Sequence, residues 1–189
     1  MADDTIRKRA PFQLAFMTDL HRLPDQEEII RTMPTGSAVI LRDYRAKNRQ
    51  SLAVKYSTLC KTRSVKFFVG GDSEIASTVE ADGLHLPEFA KASFQRKNWT
   101  GPISASCHSL NDLIDAHNLG ADIGFLSPVF ATKSHTAAIT LGAQQFHEIA
   151  SQSPIPVLAL GGIDAGNARK LSNRNVVGFG AIGAFAPPQ

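Results

Sequence analysis

The chain has 189 residues, 43% of them apolar, with 20 basic against 17 acidic side chains and a formal net charge of +3. That apolar share can bury a substantial core, and the length favours one domain over residues 1–189 rather than two. No run approaches the ~18 apolar residues of a membrane span, the opening MADDTIRKRAPFQ has no apolar centre of the secretory type, and Cys60 and Cys107 are isolated thiols without metal spacing; no membrane partner and a cytoplasmic, reducing setting are expected.

In chain order, apolar runs suited to buried strands occur at 14–19, 37–43, 65–71, 83–88, 103–108, 122–130, 156–162 and 176–182. Amphipathic stretches separate them: PDQEEIIRTM, NRQSLAVKYSTLCKT, SEIASTVEA, FAKASFQRK, LNDLIDAHNL, LGAQQFHEIASQ and DAGNARKLSN. The fifth has the clearest boundaries, with Ser109 as a cap, Asp112 three residues on and Gly120 at the end. Alternation of this kind demands crossover connections and a parallel sheet. Eight strands fit a compact (β/α)₈ TIM barrel better than an open doubly wound sheet. Its eighth helix is expected to be absent, because FAPPQ follows the last strand so closely, and the face left there calls for cover from the N-terminal segment or a partner subunit.

Between Arg42 and Lys66 the sequence holds eight basic residues and one acid, Asp43. Such a cluster reads either as a solvated helix face or as a field that attracts a phosphorylated small molecule. Aromatic interleaving and nucleic-acid motifs are lacking, so nucleic acid is not expected as a partner. Gly178-Phe-Gly180-Ala-Ile-Gly183 matches G-x-G-x-x-G, yet no βαβ unit can follow it, and the dinucleotide reading fails. In a barrel, the loops after strands seven and eight often hold a phosphate. Gly161 and Gly162 end strand seven, while Gly180 and Ala181 end strand eight, so their backbone amides can form a phosphate cup. The alternative is that these glycines fit a tight barrel wall.

The stretches LRD (41–43), EADGLHLPE (80–88), SASCHSLNDL (104–113), GADIGFLSPVFATKSH (120–135) and IPVLALGGI (155–163) resemble the thiamine-phosphate synthase and TenI superfamily, in the same order and almost end to end. The resemblance implies a compact barrel, usually a homodimer, acting on a small phosphorylated heterocycle. Synthases of this family join a pyrimidine diphosphate to a thiazole phosphate and release diphosphate with the help of magnesium held by two aspartates; TenI-type relatives are aromatizing thiazole tautomerases.

By that resemblance Arg42 falls on the diphosphate arginine, but Ile40 and Tyr44 stand where glutamine and lysine are usual, and Gly71 and Ala90 stand at the magnesium aspartates. Asp72 and Glu88 are the neighbouring carboxylates from which a magnesium site could be rebuilt. Thr132 is retained, Ser134 replaces a threonine and His135 a lysine, while Ser106 and His108 keep polar groups at the end of strand five. The expected reading is therefore a TenI-like tautomerase with His108 as proton shuttle and no cofactor. Two alternatives remain, a synthase with a rebuilt magnesium site and a non-catalytic phosphate-ligand sensor. His108 could instead only order its loop, His85 either points into the barrel mouth or supports structure, and Cys107 faces away from His108 because neighbours on a strand alternate. His21, His117 and His147 read as surface or packing residues.

Overall fold

The computed structural model describes residues 10–132, 139–164, 166–172 and 174–185. Eight parallel strands close into a barrel in sequence order. They are β1 (Leu14–Met17), β2 (Ala38–Leu41), β3 (Lys66–Gly70), β4 (Gly83–Leu86), β5 (Ile103–Cys107), β6 (Ile123–Leu126), β7 (Val157–Ala159) and β8 (Val176–Ala181). β8 returns to β1 through the pairs Ala15 with Gly180 and Phe16 with Ala181. All eight expected strands are present. β6 is shorter than its apolar run because Pro128 has no amide to donate, and the chain beyond Leu126 instead bonds the β7 loop through Val129 N–H to the Leu160 carbonyl at 3.0 Å.

The helices are α1 (Glu27–Thr32), α2 (Arg49–Arg63), α3 (Ser73–Thr78), α4 (Glu88–Lys91), α5 (Leu110–Asn118) and α6 (Gly142–Gln152). At α5 the Ser109 hydroxyl accepts from the Asp112 amide at 3.1 Å, and Asp112 accepts from the His108 amide at 2.8 Å, so the cap also fixes the residue leaving β5. Two expected helices are curtailed. FAKASFQRK forms one turn of α4 and a separate 3₁₀ turn at Arg96–Asn98. DAGNARKLSN forms only a 3₁₀ turn at Ala168–Leu171, because the Asp164 carboxylate accepts from the Gly166 and Asn167 amides and holds the chain in a turn.

Side chains inside the barrel form a core of their own, including Ala15, Met17, Ile40, Phe68, Ile123, Phe125, Leu158 and Ile182. Large rings sit where a nearby strand has no side chain. A Cβ on Gly83 would lie 2.1 Å from the Phe68 ring, and one on Gly180 would lie 2.8 Å from the Phe125 ring. Gly180 is therefore a packing glycine, as the tight-wall alternative has it. Outside the sheet, Phe16, Val39, Leu41, Leu84 and Ala105 pack against the helices.

The segment before β1 closes the barrel's lower end from within. Phe12 is 3% exposed and packs edge-on to Phe68 with centroids 5.0 Å apart. The rest of the N-terminal segment expected as cover, residues 1–9, lies outside the described residues. Outside, Phe185 in the 3₁₀ turn Gly183–Phe185 packs edge-on to Phe16 at 5.9 Å; among the described residues no α-helix follows β8. Because Phe12 is buried against both Phe68 and Phe125, Phe12→Ala is expected to cost about 3 kcal/mol of stability, measured as a lowered midpoint with unchanged slope in urea unfolding.

Candidate functional site

A cavity of about 730 Å³ opens at the C-terminal ends of the strands, within the usual range for small-molecule sites. Of the residues singled out in the sequence, it brings together Arg42, His85, Glu88, Ser106, His108, Thr132, Gly161, Gly162, Gly180 and Ala181. Ser134 and His135 lie outside the described residues. Sequence reasoning missed Arg22, Phe89 and Asp164, which also line it, and read Tyr44 only as a departure from lysine.

The floor is a polar layer set against Phe125. His85 on β4 is 1% exposed, with Nδ1 3.0 Å from the Ser104 hydroxyl and Nε2 3.0 Å from the Ser106 hydroxyl, both on β5. This follows from register, since His85 pairs with Ser104 and Ser106 is the next inward position. Burial pushes the His85 pKa down to about 3, with lesser contributions from the Arg42 and Lys91 charges. The ring is therefore neutral near pH 7, and one of its two serines receives a hydrogen bond while the other donates one.

His108 sits at the exposed end of β5. Its Nδ1 lies 2.7 Å from the Ser127 carbonyl oxygen. A carbonyl can only accept, so Nδ1 carries the proton and Nε2 of the neutral ring is left with its lone pair. The Asp112 bond to the His108 amide holds the backbone, and the Ser127 bond holds the ring. Cys107 is buried, accompanies the outer core, and has its pKa pushed up to about 12 by burial, so it is no partner nucleophile.

On the opposite wall Gly161 and Gly162 have φ of +94° and +64°. Added Cβ atoms would lie 2.9 Å from Pro128 Cα and 2.4 Å from the Ala131 carbonyl oxygen. Glycine is required here both by conformation and by the approach of the β6 loop. The Gly161 carbonyl accepts from Phe130 and the Gly162 carbonyl from the Asn167 side chain, while the two amides meet no acceptor among the described residues. Arg22 reaches the same rim, its Nη2 lying 3.2 Å from where a Gly183 Cβ would be.

The corner between β2, β3 and β4 is aromatic. Tyr44 lies over the end of β3, so that a Gly70 Cβ would be 2.8 Å from its ring. Phe89 meets Tyr44 edge-on at 5.0 Å, and the Arg49 guanidinium stands 5.6 Å from the Tyr44 centroid. The wider basic cluster is chiefly a solvated helix face. Lys55 pairs with Glu27, Lys61 with Glu80 and Lys66 with Asp82, while Arg42 alone among its members lines the cavity.

These features define a closed (β/α)₈ barrel with one candidate site at the carboxyl ends of its strands. The sequence profile of the thiamine monophosphate synthase family matches residues 17–185, and the chain belongs to that family. It is 30% identical to the thiamine-phosphate synthase of Pyrococcus furiosus over 183 residues, covering 93% of this chain and 87% of that one. The solved thiamine phosphate pyrophosphorylase from Pyrococcus furiosus superposes with a TM-score of 0.76 at 29% identity, covering 94% and 88% of the two chains. That from Bacteroides thetaiotaomicron shares the fold, with a TM-score of 0.63 at 19% identity over 92% and 83%.

The residues present do not fit the paired-aspartate magnesium site that the resemblance implies. Gly71 and Ala90 offer no carboxylate, and a Gly71 Cβ would already meet Pro87 at 3.3 Å and Phe89 at 3.4 Å. Asp72 does not line the cavity: it caps α3 through the Ile75 amide at 2.9 Å and pairs with Arg49 at 3.7 Å. Glu88 is paired with Lys91 at 2.8 Å. Among the described residues no group of three or more His, Cys, Asp or Glu is placed to hold a metal ion.

The buried neutral His85 gives a pH dependence whose sign is fixed. The unfolded chain takes up a proton below about pH 6.5, whereas the folded one resists until about 3. Stability is thus highest above pH 6.5 and falls towards pH 3, by at most about 1.4 kcal/mol per pH unit from this residue. Urea unfolding between pH 7.5 and 4.5 should show that slope in the native protein, and His85→Gln should flatten it.

Proposed function

We propose that this barrel binds a phosphorylated thiazole-type heterocycle and tautomerises it, with His108 as the proton carrier and without a metal ion. The observation that carries the reading is the fixed His108 tautomer, whose Nε2 lone pair belongs to a cavity-lining ring. The Gly161 and Gly162 amides, joined by those beyond Gly180 and Ala181, hold the phosphate. Nε2 removes a proton from one position of a non-aromatic thiazole tautomer, the electron pair moves into the ring, and the imidazolium returns a proton at the far end of the conjugated system. Protons and electrons balance, and no oxidant or leaving group is needed. Ser106, oriented by His85, hydrogen-bonds a heteroatom of the ring. Thr132 lines the same side of the cavity.

A second reading is favoured by the names of the relatives at about 30% identity: a thiamine-phosphate synthase working without the usual aspartate pair. Supplying the pyrimidine diphosphate, thiazole phosphate and magnesium together separates the two, since only a synthase then forms thiamine phosphate.

Thiazole phosphate at 100 times its dissociation constant, with no magnesium present, is expected to stabilise by about 2.7 kcal/mol, seen as a rise in Tm on the order of 5–10 °C. His108→Ala should lower tautomerase kcat by roughly 10²–10⁴-fold and leave that thermal shift intact. A thermal shift that appears only when magnesium and the pyrimidine diphosphate are added overturns the reading.

A further inference from the structure

Distance alone lets the buried His85 ring take either neutral tautomer. Its Nδ1 and Nε2 each lie 3.0 Å from a serine hydroxyl, of Ser104 and of Ser106 respectively, and a hydroxyl can donate or accept. The two serines differ in what else they can meet. Ser104 is 0% exposed, and among the described residues its hydroxyl has no acceptor other than His85 Nδ1. Ser106, on the same inward face of β5, is partly exposed and lines the cavity. With the ring proton on Nδ1, the Ser104 hydrogen would be buried without an acceptor, which costs the full desolvation of that group. With the ring proton on Nε2 every buried donor is satisfied: Ser104 donates to Nδ1, and Nε2 donates to the Ser106 oxygen. The hydrogen left over belongs to Ser106, and the cavity is open to it.

We propose that Ser104 is a positioning residue: it fixes His85 as the Nε2–H tautomer, so that Ser106 offers the ligand a hydrogen rather than a lone pair, and the ligand atom at that point must be an unprotonated acceptor. The use of that hydrogen rests on the tautomerase reading. Ser106 and His108 stand two residues apart and line one cavity. When His108 Nε2 takes a proton, the electron pair moves into the substrate ring and negative charge builds on a heteroatom there. A hydroxyl already turned to donate stabilises that charge without having to reorient. The opposite tautomer of His85 would draw the Ser106 hydrogen back towards Nε2 and leave the heteroatom facing a lone pair. The direction is thus settled by an oxygen that is itself sealed from the ligand.

Long-range proton–nitrogen NMR correlation of the full chain, isotope-labelled in its histidine rings and held near neutral pH, reads the tautomer directly; the His85 signals are assigned by their loss in His85→Gln. The native protein should show Nε2 protonated. Ser106→Ala should keep that tautomer, because Ser104 sets it. Ser104→Ala should lose it, and Ser104→Thr, which keeps the hydroxyl, should retain it. In tautomerase assays Ser106→Ala should lower kcat by about 100-fold and Ser104→Ala by roughly tenfold, each with KM unchanged, and the double variant should be no slower than Ser106→Ala alone. Failure of the tautomerase reading has a different signature: the native protein shows no turnover, while the Ser104-dependent Nε2–H signal remains and supports the role of Ser104. The proposal is overturned by a native Nδ1–H signal, by an Nε2–H signal that survives Ser104→Ala or vanishes in Ser106→Ala, or by kcat losses that multiply in the double variant, the mark of a merely structural effect.

Discussion

The site depends on one steric constraint, the filling of the barrel's width by Phe125. Its ring occupies the place a side chain on Gly180 would take and meets the His85 ring edge-on at 5.6 Å. On one side of it Phe12, Phe68 and Ile123 form an apolar interior; against it on the neighbouring strands lie the inward polar groups His85, Ser104 and Ser106. A polar layer placed directly on an apolar plug must satisfy its own hydrogen bonds, since water cannot reach it from beneath. The two serines do this for both nitrogens of His85. Burial then keeps that ring uncharged, so its contribution is geometric: it fixes the Ser106 hydroxyl.

Parallel closure gathers everything else. Eight strands running the same way deliver their following loops to one end, so residues distant in sequence share one wall without any local signal linking them. Gly161 and Gly162 share one cavity with His85 of β4 and Ser106 of β5 for this reason. The same closure explains the tight β6 loop. Pro128 and Ala131 pack so near the glycine pair that any side chain there would collide.

The strands were legible because each is an apolar run buried on both faces, and the glycine doublet was legible because its topological position can be counted once the strands are. Shorter features were not. The stretch at 164–173 has a helical pattern, but the Asp164 side chain offers its backbone amides a competing partner, and a 3₁₀ turn results. The aromatic corner escaped because Tyr44 lies in the turn after β2 and Phe89 in the short helix α4 after β4, and only the path of the chain after each strand brings them within 5.0 Å. A signal did exist in Gly70-Gly71: two bare residues at a strand end leave a space that some large side chain must fill. Arg22 carried no signal, since its reach to the β8 rim depends on the course of the loop after β1.

The two ends of the cavity differ in how they could handle negative charge, and that difference orders the reactions available. The glycine rim offers amide dipoles, which suit a bound phosphate whose charge does not change during the reaction. Expelling a diphosphate is a different task, because negative charge builds on the departing oxygens, and a metal ion's share in countering it is several kcal/mol, each ~1.4 of which is tenfold in rate. At the corner where that charge would gather, this chain sets Tyr44, Phe89 and a Glu88 already balanced by Lys91. Moving a proton between two ring positions asks only for a held base with a free lone pair, which His108 supplies through its bond to Ser127. On the proposed reading, the substitutions at this one corner weaken the expulsion of a diphosphate and leave the proton transfer untouched.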